Sequence, residues 1–195
     1  MNSLTIYITD DDLAVRDALV TLLSLEGHRC VPFSDGALVL EQIERTPPDL
    51  LLLDLKMPGL SGLDVLQRLP KPLTFACLMI SAHGDIRAAV EAVRAGAVDF
   101  LEKPFDPDTL LASVASAMSA FAAQAPTPPQ TQLQFDALTP REQQVATALC
   151  EGNSNKEVAR LLNLSPRTVE AHRARIFEKV GVKNLAGLIR ASTLI

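Results

Sequence analysis

The chain has 195 residues, 48% of them hydrophobic, and a formal net charge of −5, which allows one domain of common size plus a small one. Charges interrupt every apolar stretch, so no run approaches the ~20 residues of a membrane span, and residues 1–7 lack the basic region and cleavage site of a secretory signal. Cys30, Cys77 and Cys150 are widely spaced and not grouped as metal ligands, which predicts free thiols in a reducing compartment, the cytoplasm.

Apolar runs at 4–9, 29–33, 49–54, 75–80 and 97–101 are short and rich in Leu, Ile, Val and Phe, and helical spacing lies between them. Leu13, Val15, Ala18, Leu19, Leu22 and Leu23 mark a first helix ended by Gly27. Ile86, Ala89, Val90, Val93 and Ala97 mark another after Gly84, with Gly96 as its stop. Five β/α units predict an α/β fold, a doubly wound five-stranded parallel sheet with helices on both faces. Residues 122–134 hold three prolines, four glutamines and no charge. They cannot build a core and predict a linker between a domain at 1–121 and another at 135–195.

The second domain is expected to be all-α. Thr139-Pro140-Arg141-Glu142 and Ser154-Asn155-Lys156-Glu157 are capping boxes. Ser165-Pro166 opens a longer helix that stops at Gly181, and Asn184 starts a fourth. A short helix, a tight turn around residues 163–165 and a longer Arg-rich helix make a helix-turn-helix. Charge divides the same way: residues 1–134 carry 9 Lys+Arg against 17 Asp+Glu, and residues 135–195 carry 9 against 6. Only the second unit is suited to a polyanion.

Chemistry concentrates at the strand ends. Asp10 and Asp11 follow the first run, Asp54 ends the third, Ser81 follows the fourth, and Lys103-Pro104 follow the fifth. In an open parallel sheet, ligands bind outside the carboxyl ends of the strands. Three carboxylates, a hydroxyl and a lysine collected there suit a divalent metal and a phosphoryl group. Neighbouring residues have plainer roles. Asp12 and Asp85 read as helix caps, Asp99 as a surface residue and His28 as a turn residue. His83 is expected near the pocket mouth without chemistry, since no second ligand lies near it. In the longer helix Val169, Ile176 and Val180 should face inward with His172 at the edge. Arg167, Glu170, Ala171, Ala174 and Glu178 form the opposite face, flanked by Arg173 and Arg175.

Taken together, residues 4–120 resemble the receiver domain of two-component response regulators, and 136–193 resemble a LuxR-type helix-turn-helix output domain. Ser81-Ala82-His83-Gly84-Asp85 and Gly96-Ala97-Val98-Asp99-Phe100-Leu101-Glu102-Lys103-Pro104-Phe105 are similar to the FixJ-like subfamily. The resemblance implies that Asp54 is the phosphoacceptor and that Asp10, Asp11, Asp54 and the Lys56 backbone carbonyl hold Mg²⁺. Asp11 would be the more direct ligand and Asp10 would act through water. It implies that Lys103 pairs with phosphoryl oxygens and that Ser81, replacing the commoner threonine, donates to them. Phe100 would turn inward in response, and Lys103-Pro104 would be cis.

On the output side the resemblance assigns base edges to Glu170, Ala171 and Ala174. Phosphate contacts fall to Arg167, Arg173, Arg175 and Lys156, with Lys179 either another or a solvated charge. Ser154, Ser165 and Thr168 would add helix-start amides. Arg87, Glu91 and Arg94 would lie on a dimer face. The implied partners are a sensor histidine kinase, double-stranded promoter DNA and a second copy of the chain, with RNA polymerase a further potential partner and no membrane. Two rivals stay open: an aspartyl-phosphate enzyme, for which no inserted cap segment is present, and a ligand-sensing quorum regulator, for which no separate ligand module remains.

Overall fold

In a computed structural model, residues 3–82, 86–123 and 137–193 are described. The linker expected at 122–134 lies outside them from residue 124 on, as do His83 and Asp85. Two compact units are present, one made of Met1–His83 with Ala95–Pro126, the other of Gly84–Arg94 with Thr127–Ile195.

The first unit contains β1 (Thr5–Thr9), α1 (Leu13–Leu25), β2 (Arg29–Phe33), α2 (Gly36–Arg45), β3 (Leu50–Asp54), α3 (Gly62–Arg68), β4 (Ala76–Ala82), β5 (Asp99–Lys103) and α5 (Pro107–Ala122). All strand pairs are parallel and the order is β2-β1-β3-β4-β5. This is the doubly wound five-stranded sheet expected from the sequence. The β3 run Leu-Leu-Leu-Leu-Asp sits at its centre and is buried on both faces, as a central parallel strand requires. On one face Ile6, Ile8, Leu50, Leu52, Leu78 and Ile80 pack with Leu19 and Leu23 of α1 and with Leu110, Val114 and Ala117 of α5. Leu51, Leu53, Cys77 and Met79 are buried on the other face.

Two strands run later than the apolar pattern suggests. Ala97 and Val98 are fully buried but precede β5, whose ladder pairs Ser81 with Glu102 and Ala82 with Lys103. Hydrophobicity reports burial rather than pairing, so both strands extend into polar residues. Ser81 and Lys103 consequently stand within strands rather than beyond them.

Helix starts follow the capping chemistry. The Asp12 carboxylate accepts from the amides of Ala14 and Val15, and Ser61 and Asp64 form a reciprocal capping box on α3.

The second unit holds α4 (Ile86–Arg94), α6 (Pro140–Cys150), α7 (Asn155–Leu161), α8 (Pro166–Val180) and α9 (Leu185–Thr193). Both capping boxes read from the sequence are formed, and Gly181 ends α8 in the left-handed region at φ 71°. Val169, Ile176 and Val180 are buried as phased, and Val145, Val158, Leu188 and Ile189 complete the core. The grouping of α4 with these helices has no sign in the sequence. Among the described residues no helix is long and apolar enough to cross a membrane.

Candidate functional site

The sheet topology brings four of the predicted residues to one end. Asp10 follows β1, Asp54 ends β3, and both are buried together with Ser81 of β4. Lys103, the last residue of β5, places Nζ 2.7 Å from Asp10 Oδ2 and 2.5 Å from Asp54 Oδ1. The remaining carboxylate oxygens are also satisfied: Asp54 Oδ2 accepts the Lys56 amide at 2.8 Å, and Asp10 Oδ1 accepts the Asp12 amide at 2.9 Å. Burial pushes the Asp54 carboxyl above its ordinary range, against the pull of Lys103. For Lys103, burial opposes the charge, but hydrogen bonds to Asp10 and Asp54 outweigh it and hold the ammonium above its usual range.

Other predicted members stand outside this triad. Asp11 is exposed and has no hydrogen-bond or ion-pair partner among the described residues. Among those residues no three acidic, His or Cys side chains gather as a metal site. The donor set is a buried two-carboxylate cleft already filled by one cationic side chain, with a third carboxylate beside it in sequence. That set fits Mg²⁺, which is typically held by one or two carboxylates and completed by water and phosphoryl oxygens. Phe100 is half-buried, Pro104 is exposed, and the Lys103-Pro104 bond is cis. Lys71-Pro72 is cis as well, which nothing in the sequence indicated.

One residue at this end escaped the sequence reading. Gly62 opens α3 directly beneath Asp54, its amide donating to the Leu55 carbonyl at 3.0 Å. A Cβ there would stand 2.2 Å from the Asp54 carbonyl oxygen and 3.0 Å from Met79 Cε. The chain thus needs glycine to let α3 start against the acidic strand end. A small residue one place after the Ser61 cap was the available signal.

In the second unit Arg167, Glu170, Ala171, Ala174 and Arg175 are exposed along α8, as are Lys156 on α7 and the Ser165 cap; Thr168 is half-buried, its hydroxyl 2.7 Å from that of Ser165. Arg173 sits differently. It is half-buried, with its guanidinium carbon 5.2 Å from the centre of the Phe177 ring, and burial pulls its pKa down. Lys179 lies 2.7 Å from Glu142, a buried side chain that also accepts from the Thr139 amide and hydroxyl at 2.8 and 2.9 Å. On α4, Arg87, Glu91 and Arg94 are exposed, and Arg94 donates to the Cys150 carbonyl at 3.2 Å.

The Glu142 cluster carries a pH prediction. Hydrogen bonds from Lys179 and then Thr139 lower its pKa from an ordinary 4.5 to about 2. A depressed carboxylate stabilises the fold above its unfolded value, and that contribution is lost as pH falls toward the folded value. Protection of α6 and α8 amides from hydrogen exchange should therefore decline between pH 4.5 and about 2. Glu142→Gln should flatten that decline; an unchanged slope would remove Glu142 as its source.

Comparison with known proteins agrees with this arrangement. Residues 6–115 match the response regulator receiver domain, and residues 136–192 match bacterial regulatory proteins of the luxR family. The chain is 39% identical over 189 residues to the transcriptional regulatory protein FixJ of Bradyrhizobium diazoefficiens, covering 95% of this chain and 92% of that one. It is 38% identical over 187 residues to the tetrathionate response regulatory protein TtrR of Salmonella typhimurium, covering 95% and 90%. The crystal structure of full-length FixJ from B. japonicum superposes with a TM-score of 0.55 at 36% identity, covering 99% of this chain and 97% of that chain. A receiver of this kind implies a sensor kinase as partner, and the luxR-type domain implies DNA. The chain belongs to the FixJ-like response regulators, two-component transcription regulators that join a receiver to a LuxR-type helix-turn-helix.

Proposed function

We propose that the receiver spans residues 1–121, that a linker follows to 134, and that Asp54 is the phosphoacceptor for a sensor histidine kinase. The observation that carries this is the placement of Lys103 Nζ against both Asp10 and Asp54 at the end of the central strand. An Asp54 carboxylate oxygen attacks phosphorus, the P–O bond forms as the P–N bond to the donor histidine breaks, and the imidazole leaves with its electron pair and takes up a proton. Lys103, freed from one carboxylate, follows the phosphoryl oxygens, and the Ser81 hydroxyl donates to them. Phe100 answers the movement of Ser81 and biases the receiver between two pre-existing states. Asp10, Asp11, Asp54 and the Lys56 carbonyl would hold Mg²⁺, which when bound neutralises charge on the transferring group.

Labelling by acetyl phosphate should therefore stop when Mg²⁺ is chelated. Lys103→Ala should keep partial labelling yet lose phosphorylation-induced dimerisation. Full labelling in chelator, or normal dimerisation by Lys103→Ala, would remove these roles.

On the output side we assign base contacts to Glu170, Ala171 and Ala174 and phosphate contacts to Arg167, Arg173, Arg175 and Lys156, with Ser165 and Thr168 at the helix start. Lys179 is left out because it is committed to Glu142. Arg173→Ala should weaken specific and non-specific DNA alike and lower the salt slope by about one unit. Glu170→Ala should instead change base preference at one position per half-site, a discrimination worth about 1–3 kcal/mol. Fluorescence anisotropy across a salt series and a panel of single-base operator changes separates the two, and the reverse pattern would exchange the roles. Dimerisation through Arg87, Glu91 and Arg94, a role for RNA polymerase and a cytoplasmic location complete the proposal. The chain acts as a regulator, not as a catalyst on other substrates.

A further inference from the structure

The turn that carries Asp10 and Asp11 is tied down by a residue outside the site described so far. Arg16, which closes the first turn of α1, reaches back six residues and donates from Nη1 to the Asp10 carbonyl at 2.6 Å. That carbonyl belongs to the peptide joining Asp10 to Asp11. The same turn is fixed on its other side, where Asp12 donates its amide to Asp10 Oδ1 at 2.9 Å and its own carboxylate caps α1 through the amides of Ala14 and Val15. Asp10 is further held by Lys103 at 2.7 Å. Asp11 alone of the acidic group has no partner of its own among the described residues, so its place is set wholly by the backbone on either side. Arg16 is half-buried, and the Asp10 carbonyl is the only hydrogen-bond partner of its side chain among the described residues.

We infer that Arg16 is a positioning residue for metal binding: it clamps the Asp10–Asp11 peptide and so holds the Asp11 carboxylate beside the Asp10–Asp54 pair. This rests on the reading of that pair as a Mg²⁺ site. The sign of the effect distinguishes the clamp from charge alone. A guanidinium this close to an acidic cluster repels a divalent cation, so on electrostatics alone its removal would tighten Mg²⁺ binding. A residue that orients a ligand does the opposite, and losing such an outer-shell partner weakens metal affinity on the order of tenfold or more.

The test is calorimetric titration of the full chain with MgCl₂ at fixed salt, without phosphodonor, for wild type, Arg16→Gln, Arg16→Lys, Asp11→Asn and the double variant Arg16→Gln/Asp11→Asn. The expected results are a loss of about tenfold for Arg16→Gln, partial recovery with Arg16→Lys, and little further loss when Arg16→Gln is added to Asp11→Asn, because both act through one carboxylate. Unchanged or tighter binding in Arg16→Gln, or losses that add in the double variant, would overturn the clamp while leaving the metal site standing. A wild-type chain that takes up no Mg²⁺ at millimolar concentration would overturn the site and the clamp together. Thermal melts in chelator accompany each variant, since a merely structural role would lower the melting temperature without moving the affinity.

Discussion

Asp54→Asn should carry no acyl phosphate after treatment with acetyl phosphate and Mg²⁺, and the loss should be complete rather than partial. Asp54 has the required combination of a central strand, burial and a lysine 2.5 Å away. Asp10 shares the lysine at 2.7 Å, and each carboxylate accepts one amide from its own turn, so the difference is that Asp54 alone ends the central strand. Asparagine keeps the shape and the oxygen that accepts from Lys56, while its NH₂ group replaces the oxygen that accepts from Lys103, which retains Asp10 as a partner. Burial pushes the Asp54 carboxyl up, which means that its charged form is disfavoured in the folded state. Intact-mass measurement and peptide mapping decide the matter. Phosphate found on Asp10 or Asp11 of the variant would show that the acceptor had been misassigned.

Gly62→Ala should be the most damaging single-methyl change at this end of the sheet. The added carbon would lie 2.2 Å from the Asp54 carbonyl oxygen, far inside van der Waals contact, and that obstacle is backbone. Either α3 moves off its start or the strand end carrying Asp54 shifts. Overpacking of this kind typically costs about 1–3 kcal/mol, occasionally more. Gly27→Ala is the matched control: its φ of 84° strains alanine, but no atom lies within 4 Å of an added Cβ. Both variants should lose stability in urea titrations, and only Gly62→Ala should also slow Asp54 labelling by acetyl phosphate. Equal labelling rates in the two would mean that α3 absorbs the clash without disturbing the acceptor.

How much of this was legible beforehand varies with the kind of information involved. The β/α alternation, the capping boxes at Thr139 and Ser154 and the inward phase of Val169, Ile176 and Val180 are local or periodic, and a single chain displays them openly. The strand-end acids and lysine could be collected because a parallel sheet gathers its carboxyl ends at one edge. Tertiary facts left fainter traces. That Lys179 is held by Glu142, 37 residues away, depends on the packing of α6 against α8, so from sequence it read as a charge on an Arg-rich helix. Arg173 likewise reads as one more exposed cation until Phe177 is seen beside it. The role of Gly62 follows from the approach of two backbones and has no periodic sign at all. Arg16 looks like an ordinary helix cation, because a side chain that returns to a carbonyl six residues earlier leaves no pattern in composition or spacing.

The most direct test of phosphorylation-controlled DNA binding is the affinity of the full chain for its promoter duplex, at fixed salt, with and without beryllofluoride and Mg²⁺. With Asp54 occupied by this phosphoryl mimic the protein should become dimeric by size-exclusion chromatography and bind the duplex at least about tenfold more tightly, a gain of roughly 1.4 kcal/mol, and Asp54→Asn should abolish both changes. An affinity that is the same with and without the mimic, while wild type demonstrably binds it, would contradict the coupling of Asp54 to DNA.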